Sequence, residues 1–150
     1  MKIFWVARVA RFDLLRAVSF LACHLTKWDT ECDPRLYRLV CYLHSSREHR
    51  MSGWVGDPAT LCSLHLYSDA DFAGCQRSNR STTGVCLAIE GPHTCLPLSA
   101  VSKKQSAVSH STPEAEIVAG AYALRHEGLP GQIFWAVILR MHGGGVWRTP

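Results

Sequence analysis

The sequence "LYSDADFAG", residues 66–74, places two carboxylates inside a run that otherwise has the composition of a buried strand. From Leu64 to Phe72 the residues alternate with a period of two, so Asp69 and Asp71 are predicted to lie on the same face. Asp is disfavoured in strands and is almost never buried unless it is paired or bound to a cation. The two acids are therefore either solvated groups near a strand end or part of a site.

Length and composition favour a folded protein. The chain has 150 residues, of which 47% are hydrophobic, and a domain of this size buries roughly 68–70% of the surface that its unfolded chain exposes. Lys and Arg outnumber Asp and Glu, which gives a net charge of +4. This small excess suits a polyanionic partner without establishing one.

Apolar spacing predicts two helices followed by three strands. The first helix spans residues 13–25 with Asp13 as its N-cap, and the second spans residues 33–43. Ser, Gly, Pro and charged residues make 45–60 the best boundary in the sequence. Strands are predicted within 62–74, at 81–90 and at 94–102, and their short connections favour an antiparallel meander.

A further helix is predicted after the strands, within residues 109–131. Ser and Thr caps, a proline suited to the first turn and two glutamates mark its start, and Gly128 and Pro130 are predicted to end it. The periodicity predicts that its buried stripe consists of Ile117, Val118, Ala121 and Leu124. Residues 132–141 are apolar enough for either a helix or a strand, and residues 142–150 are predicted to be unstructured.

The seven cysteines include no C-x-x-C pair, which favours free, buried thiols in a reducing compartment. A zinc site built from Cys and His is the alternative, and it predicts stoichiometric zinc.

Arg8 and Arg11 interrupt the apolar start, and no apolar run approaches the ~18 residues of a membrane span. These features predict an intracellular protein, cytoplasmic or nuclear, with no membrane partner; a transit peptide is the less favoured alternative.

The predicted topology can bring Asp69 close to Glu114 and Glu116, which fall in the first turn of the later helix. Carboxylate clusters of this kind bind hard cations such as Mg²⁺, and two such ions can support phosphodiester hydrolysis. Alternatively, the glutamates interact only with the helix dipole and the aspartates are solvated. Spacing alone leaves both interpretations open.

Several motifs occur in a characteristic order: "LYSDADFAG" (66–74), "NRSTTG" (79–84) and "AVSKKQSAVSHSTPEAEIVAGAYAL" (100–124). Together they resemble the ribonuclease H domain of copia-type long-terminal-repeat retrotransposon Pol polyproteins. The segments "ARFDLLRAVSFLACHLTKW" (10–28) and "RLYRLVCYLHSS" (35–46) resemble the end of the preceding reverse transcriptase region.

This resemblance implies a truncated ribonuclease H-like α/β fold, a three-stranded antiparallel meander plus a helix, preceded by two α-helices. Its parts would be a helical segment (1–55), a partial ribonuclease H-like domain (56–141) and a tail (142–150). Asp69 and Glu116 match the catalytic, metal-binding acids of the family, with Mg²⁺ or Mn²⁺ as cofactor. Lys103 and Lys104 become candidates for phosphate contact.

The partners that the resemblance implies are an RNA–DNA hybrid, whose RNA strand would be hydrolysed, and the reverse transcriptase region of the same polyprotein. Asp71 is then a neighbour of the metal ligand, and Glu114 is a first-turn acid.

The sequence departs from the family where further catalytic acids belong. No Asp or Glu follows Glu127, Phe12 replaces a usual proline and Pro113 replaces a usual Ser or Thr. We therefore expect weak metal binding, no nuclease activity from this chain alone, and an uncovered sheet edge and apolar face that favour association or low stability. The alternatives are a non-catalytic nucleic-acid-binding remnant and a protein-interaction module that uses the two N-terminal helices.

Overall fold

A computed structural model describes residues 2–75 and 77–142. The chain divides into two compact units between Met51 and Ser52, a position that lies within the 45–60 segment. Each unit is described by itself below.

The first unit is helical. It contains α1 (Lys2–Val9), a 3₁₀ turn (Phe12–Leu14), α2 (Leu15–Ala22) and α3 (Cys32–Ser45). Its buried residues include Ala7, Leu14, Leu15, Val18, Leu21 and Leu39. The sequence did not predict α1, and the predicted helix 13–25 is an α-helix only from Leu15 to Ala22. The helix predicted at 33–43 is confirmed as α3.

Asp13 does not cap α2, so that prediction is wrong. Its carboxylate accepts hydrogen bonds from Arg11 Nη2 at 2.8 Å and from the Tyr42 hydroxyl at 2.9 Å. The Arg11 side chain also donates to the carbonyl and the hydroxyl of Ser46. The bond from Arg11 is the main cause that holds the pKa of Asp13 below its usual value. The pair therefore ties the start of α2 to the end of α3.

The second unit is a three-stranded antiparallel sheet followed by helices. The strands β1 (Ser63–Cys75), β2 (Arg80–Gly91) and β3 (Thr94–Lys104) lie in the order β1-β2-β3. After them come α4 (Thr112–Ala123), a π-helical segment (Leu124–Gly128) and α5 (Leu129–His142). The predicted α/β meander is confirmed, and it is the architecture expected of the first part of a ribonuclease H-like fold.

Strand β1 forms one edge of this sheet. In the part of the chain that the structure describes, β1 pairs with β2 only, with Asp69 opposite Gly84 and Asp71 opposite Thr82. A bulge interrupts the pairing between Asp71 and Cys75, and Ala73 within it has a positive φ of 51°. Bulges bend a strand and are common at sheet edges.

The buried stripe predicted for α4 is wrong. Ile117, Val118 and Leu124 are 71%, 41% and 59% exposed, and Ala121 is exposed as well. The buried positions along the whole helical segment are small residues with one exception, Trp135, and they are Ala115, Ala119, Ala123, Gly128, Gly131 and Trp135. The approach is close: a Cβ at Gly131 would lie 2.9 Å from Leu87 Cδ2 and 3.0 Å from Leu64 Cδ2.

Gly128 and Pro130 do not end the helical segment, contrary to the prediction. The π segment inserts an extra residue, so buried positions that are four apart in α4 become five apart from Ala123 to Gly128. It also interrupts the regular hydrogen-bond pattern just before Pro130, which accommodates the missing N–H group. Residues 132–141 belong to α5 and are therefore helical.

All seven cysteines are free, but only Cys32 is buried. Cys23 and Cys41 are exposed and the other four are intermediate, so the expectation that the thiols are buried is wrong for most of them.

Among the helices of the described residues, none combines the length and apolar character needed to cross a membrane. The predicted tail, apart from the helical His142, lies outside the described residues.

Candidate functional site

The side chain of Glu116 reaches from α4 to the edge of β1. Its Oε1 atom accepts a hydrogen bond from the backbone N–H of Ala70 at 3.3 Å. That nitrogen is bonded to the carbonyl carbon of Asp69, so the Glu116 carboxylate lies beside the main chain of Asp69. Because a helix side chain engages this N–H, the group faces the open edge of β1 and not β2. Ala70 packs against α4, so strand alternation places the Asp69 carboxylate on the other face of β1, and Glu116 approaches Asp69 only at its main chain.

Small residues make this approach possible. Ala70 on β1 packs against Ala115 and Ala119 of α4, and the latter two are fully buried. A larger side chain at any of these positions would push the helix away from the strand. The three alanines therefore allow α4 to lie close enough to β1 for the Glu116 side chain to reach the strand edge.

Capping interactions fix the start of α4. The hydroxyl of Ser111 accepts a hydrogen bond from the backbone N–H of Glu114 at 3.3 Å, and the Glu114 carboxylate accepts one from the N–H of His110 at 2.7 Å. This reciprocal pattern is close to a capping box. Glu114 is thus engaged at the helix start, as expected of a first-turn acid, and Glu116 is the glutamate that points to the strand.

Gln105 is a site-positioning residue that the sequence analysis missed. It is only 6% exposed, and its amide nitrogen donates to Thr83 Oγ1 at 3.1 Å and to the backbone carbonyl of Ala115 at 3.0 Å. The hydroxyl of Ser109 donates to its amide oxygen. Gln105 therefore joins β2 to the first turn of α4, one residue before Glu116. The only hint of this role in the sequence is the position of Gln105 between the end of a strand and a helix cap.

Asp71 is placed differently from Asp69, although both lie on one face. A Cβ at Gly74 would overlap the Asp71 carboxylate, so this side chain turns towards the bulge. The absence of a side chain at Gly74 provides the space. The Asp71 carboxylate therefore lies beside the bulge, whereas Asp69 lies where Glu116 meets the strand.

The two lysines of the predicted phosphate contact point to opposite faces of β3, as neighbouring strand residues do. The Lys103 ammonium lies 4.6 Å from the centroid of the Tyr122 ring, on the side of α4. Lys104 Nζ donates to Cys75 Sγ at 2.9 Å, which lowers the pKa of the Cys75 thiol to about 6. The lysines are therefore not brought together into one cationic patch.

The donor set offers a partial fit to the expected cation. Asp69 and Glu116 supply the hard carboxylate oxygens that Mg²⁺ and Mn²⁺ prefer, and Mg²⁺ commonly binds through one or two carboxylates plus waters. Across residues 2–75 and 77–142, no three Asp, Glu, His or Cys side chains form a group that could hold a metal ion. Two carboxylates could hold at most one hydrated cation, which is fewer ions than the two-ion arrangement of phosphodiester hydrolysis requires.

Comparison with known proteins agrees with the motifs. Over 106 residues, or 71% of this chain, the sequence is 36% identical to the retrovirus-related Pol polyproteins from transposons RE1 and RE2 of Arabidopsis thaliana. The matched part spans 7% of the length of each of these relatives. No protein-family model and no solved structure matches the chain.

Proposed function

Because the chain belongs to the retrotransposon Pol polyproteins, we propose that residues 56–141 are a ribonuclease H-like segment in which Asp69 and Glu116 bind a divalent cation. The observation that supports this proposal is the hydrogen bond from Ala70 to Glu116, which holds the Glu116 carboxylate beside the main chain of Asp69. A cation would have to lie at the open edge of β1, where it could reach Glu116 from one face of the strand and Asp69 from the other. A bound cation would supply positive charge for a phosphate oxygen.

The proposed nucleic acid partner is an RNA–DNA hybrid. Its recognition would depend on the shape of the duplex and on sugar 2′-hydroxyls more than on base sequence. The net charge of +4 favours a polyanion, and the ammonium groups of Lys103 and Lys104 are candidates for phosphate contact from the two faces of β3. The proposed protein partner is the reverse transcriptase region of the same polyprotein.

The segment is proposed to be inactive as a nuclease by itself. In-line phosphodiester cleavage with two ions needs enough negative charge to hold both ions close together. The pair provides two carboxylates, and no Asp or Glu follows Glu127 within these 150 residues. The residues of this chain would therefore orient a phosphate and a cation without completing the reaction.

Paramagnetic Mn²⁺ tests the cation site directly. We expect addition of Mn²⁺ to broaden the amide NMR signals of Ala70 and of its neighbours on α4 before those elsewhere, because the ion would lie beside the Asp69 main chain. The Asp69→Asn variant should need about tenfold more Mn²⁺ for the same broadening, since it removes one of two charged ligands.

Asp71→Asn is the matched control. It removes the same charge from the same face two residues away, and we expect it to leave the Mn²⁺ dependence near that of the parent chain. Equal effects of the two substitutions, or broadening that starts at the cysteines and histidines, would contradict the assignment of Asp69.

A further inference from the structure

An apolar stripe runs along the side of α4, the π segment and α5 that faces away from the sheet. Four of the six sheet-facing positions are followed, two residues later, by Ile117, Ala121, Ile133 and Val137, and the two central ones are followed by Arg125 and Pro130. In a helix this spacing places the second set on nearly the opposite side from the first. The stripe, which we call the outer face, therefore has one apolar part on α4 and another on α5, with Arg125 and Pro130 between them.

The outer face is large for a monomer. Its large apolar side chains are each at least 41% exposed, and they are Ile117, Val118, Leu124, Leu129, Ile133, Phe134, Val137 and Met141. At such exposure each contributes on the order of 100 Å² of apolar surface, so together they present roughly 800 Å². The largest patch on a typical monomer is about 300–600 Å². A standard interface buries about 800 Å² on each partner.

Two pairs of outer-face positions are arranged symmetrically about Glu127. Ile117 and Val137 lie equally far in sequence from Glu127, and so do Ala121 and Ile133. An antiparallel second copy with a two-fold axis near Glu127 would therefore place Ile117 opposite Val137 and Ala121 opposite Ile133, with Arg125 opposite Leu129 beside the axis. Glu127 itself is held towards the sheet, because Ser99 Oγ donates to its Oε2 at 2.5 Å.

The charges at the two ends are complementary in the same arrangement. The segment begins with Glu114 in its first turn and ends with Arg140 and His142 in its last turn. In an antiparallel pair Glu114 of one copy would lie near Arg140 of the other. The helix dipoles would also run in opposite directions.

We propose that the outer face is a homodimer interface in which α4 and α5 of two copies pack antiparallel about a two-fold axis near Glu127. The occupant is a second copy because the two apolar pairs and the charges at the two ends match the face to itself, and because the exposed apolar area is as large as one side of a standard interface. This assembly does not depend on the proposed cation site, whose acids lie at the edge of β1.

Sedimentation analysis of the full chain over a wide range of concentration measures the association. We expect a reversible monomer–dimer equilibrium whose Kd rises at least about tenfold in the Ile117→Glu/Ile133→Glu variant, since each copy would bring two negative charges into the interface. Both side chains are about 70% exposed, so the fold should persist, as circular dichroism can verify. Tyr37→Glu, at a 71% exposed position on α3, is the control and should leave the Kd unchanged.

Cysteine cross-linking tests the register. Under oxidised glutathione, the Ala121→Cys/Ile133→Cys variant should form a covalent dimer, because the two positions face each other across the proposed axis. The Ala121→Cys variant alone should form no more covalent dimer than the parent chain. The two copies of that residue would be separated by about 18 Å along the helix. A chain that stays monomeric at all concentrations, a Kd unaffected by the glutamates, or equal cross-linking of the single and double variants would overturn the proposal.

Discussion

At the residue scale, the contact between Lys104 and Cys75 has a measurable consequence. The Lys104 ammonium lies 2.9 Å from the Cys75 sulfur and lowers the pKa of this thiol to about 6. In contrast, burial raises the pKa of the Cys86 thiol above its usual value. The thiolate is the nucleophilic form of cysteine, so the two residues should differ in reactivity at neutral pH.

We expect iodoacetamide to label Cys75 before Cys86 at pH 7, with the rate at Cys75 rising through a midpoint near pH 6. The Lys104→Gln variant should shift this midpoint upwards, because the ammonium group that favours the thiolate is removed. Peptide mass spectrometry over a range of pH measures both. A midpoint at Cys75 that Lys104→Gln leaves in place would show that the ammonium group is not the cause.

The linkage of this thiol to stability has a definite sign. The folded pKa of Cys75 is depressed, so the contact stabilises the folded chain above the unfolded pKa of cysteine and the contribution is lost as the pH falls towards 6. The contribution is therefore only partly present at neutral pH.

The sequence predicted some site residues and missed others for a physical reason. The alternation around Asp69 could be predicted from the sequence, and the resemblance paired Asp69 with Glu116. Glu116 was expected in the first turn of the helix, but only Glu114 lies there and Glu116 follows it. The role of Gln105 depends on a buried polar network that joins β2, β3 and α4. The hydrogen-bond partners in that network come from distant segments, so no local sequence pattern predicts them.

At the element scale, Gln105 controls how α4 lies on the sheet. We expect Gln105→Ala to lower the free energy of unfolding by about 1–3 kcal/mol, because it leaves buried hydrogen-bonding groups of Thr83 and Ala115 without their partner. Chemical denaturation followed by circular dichroism measures the change. The amide signal of Ala70 should also shift, since Glu116 would lose its fixed position.

Gln132→Ala is the matched control, because Gln132 is exposed on α5. Its effect should stay within about 0.5 kcal/mol. Similar losses for the two variants would mean that the buried network does not position α4.

The strands could be predicted because a two-residue period and polar turns are local signals. The side of α4 that packs on the sheet could not be predicted in this way, because periodicity favours the largest apolar residues as the buried ones. Close approach of the helix to the sheet instead selects alanine and glycine, and the larger residues remain outside. The π segment, which keeps Gly128 and Gly131 on the sheet side, has no comparable sequence signal.

At the scale of the whole molecule, the chain has two compact units that divide between Met51 and Ser52. Composition indicated a boundary in this region, because charged residues, glycine and proline accumulate between two periodic patterns. The second unit holds Asp69 and Glu116, the proposed cation site, and the outer face, the proposed dimer interface. We propose that this unit holds two of the acids of a nuclease site and does not cleave nucleic acid by itself.

Cleavage of an RNA–DNA hybrid tests that claim most directly. A hybrid with a labelled RNA strand would be incubated with the full chain in Mg²⁺ and, separately, in Mn²⁺, with the Asp69→Asn variant as the control. We predict no cleavage above the level of the variant, because two carboxylates do not hold two ions. RNA-strand cleavage that requires the divalent cation and disappears in Asp69→Asn would contradict the account.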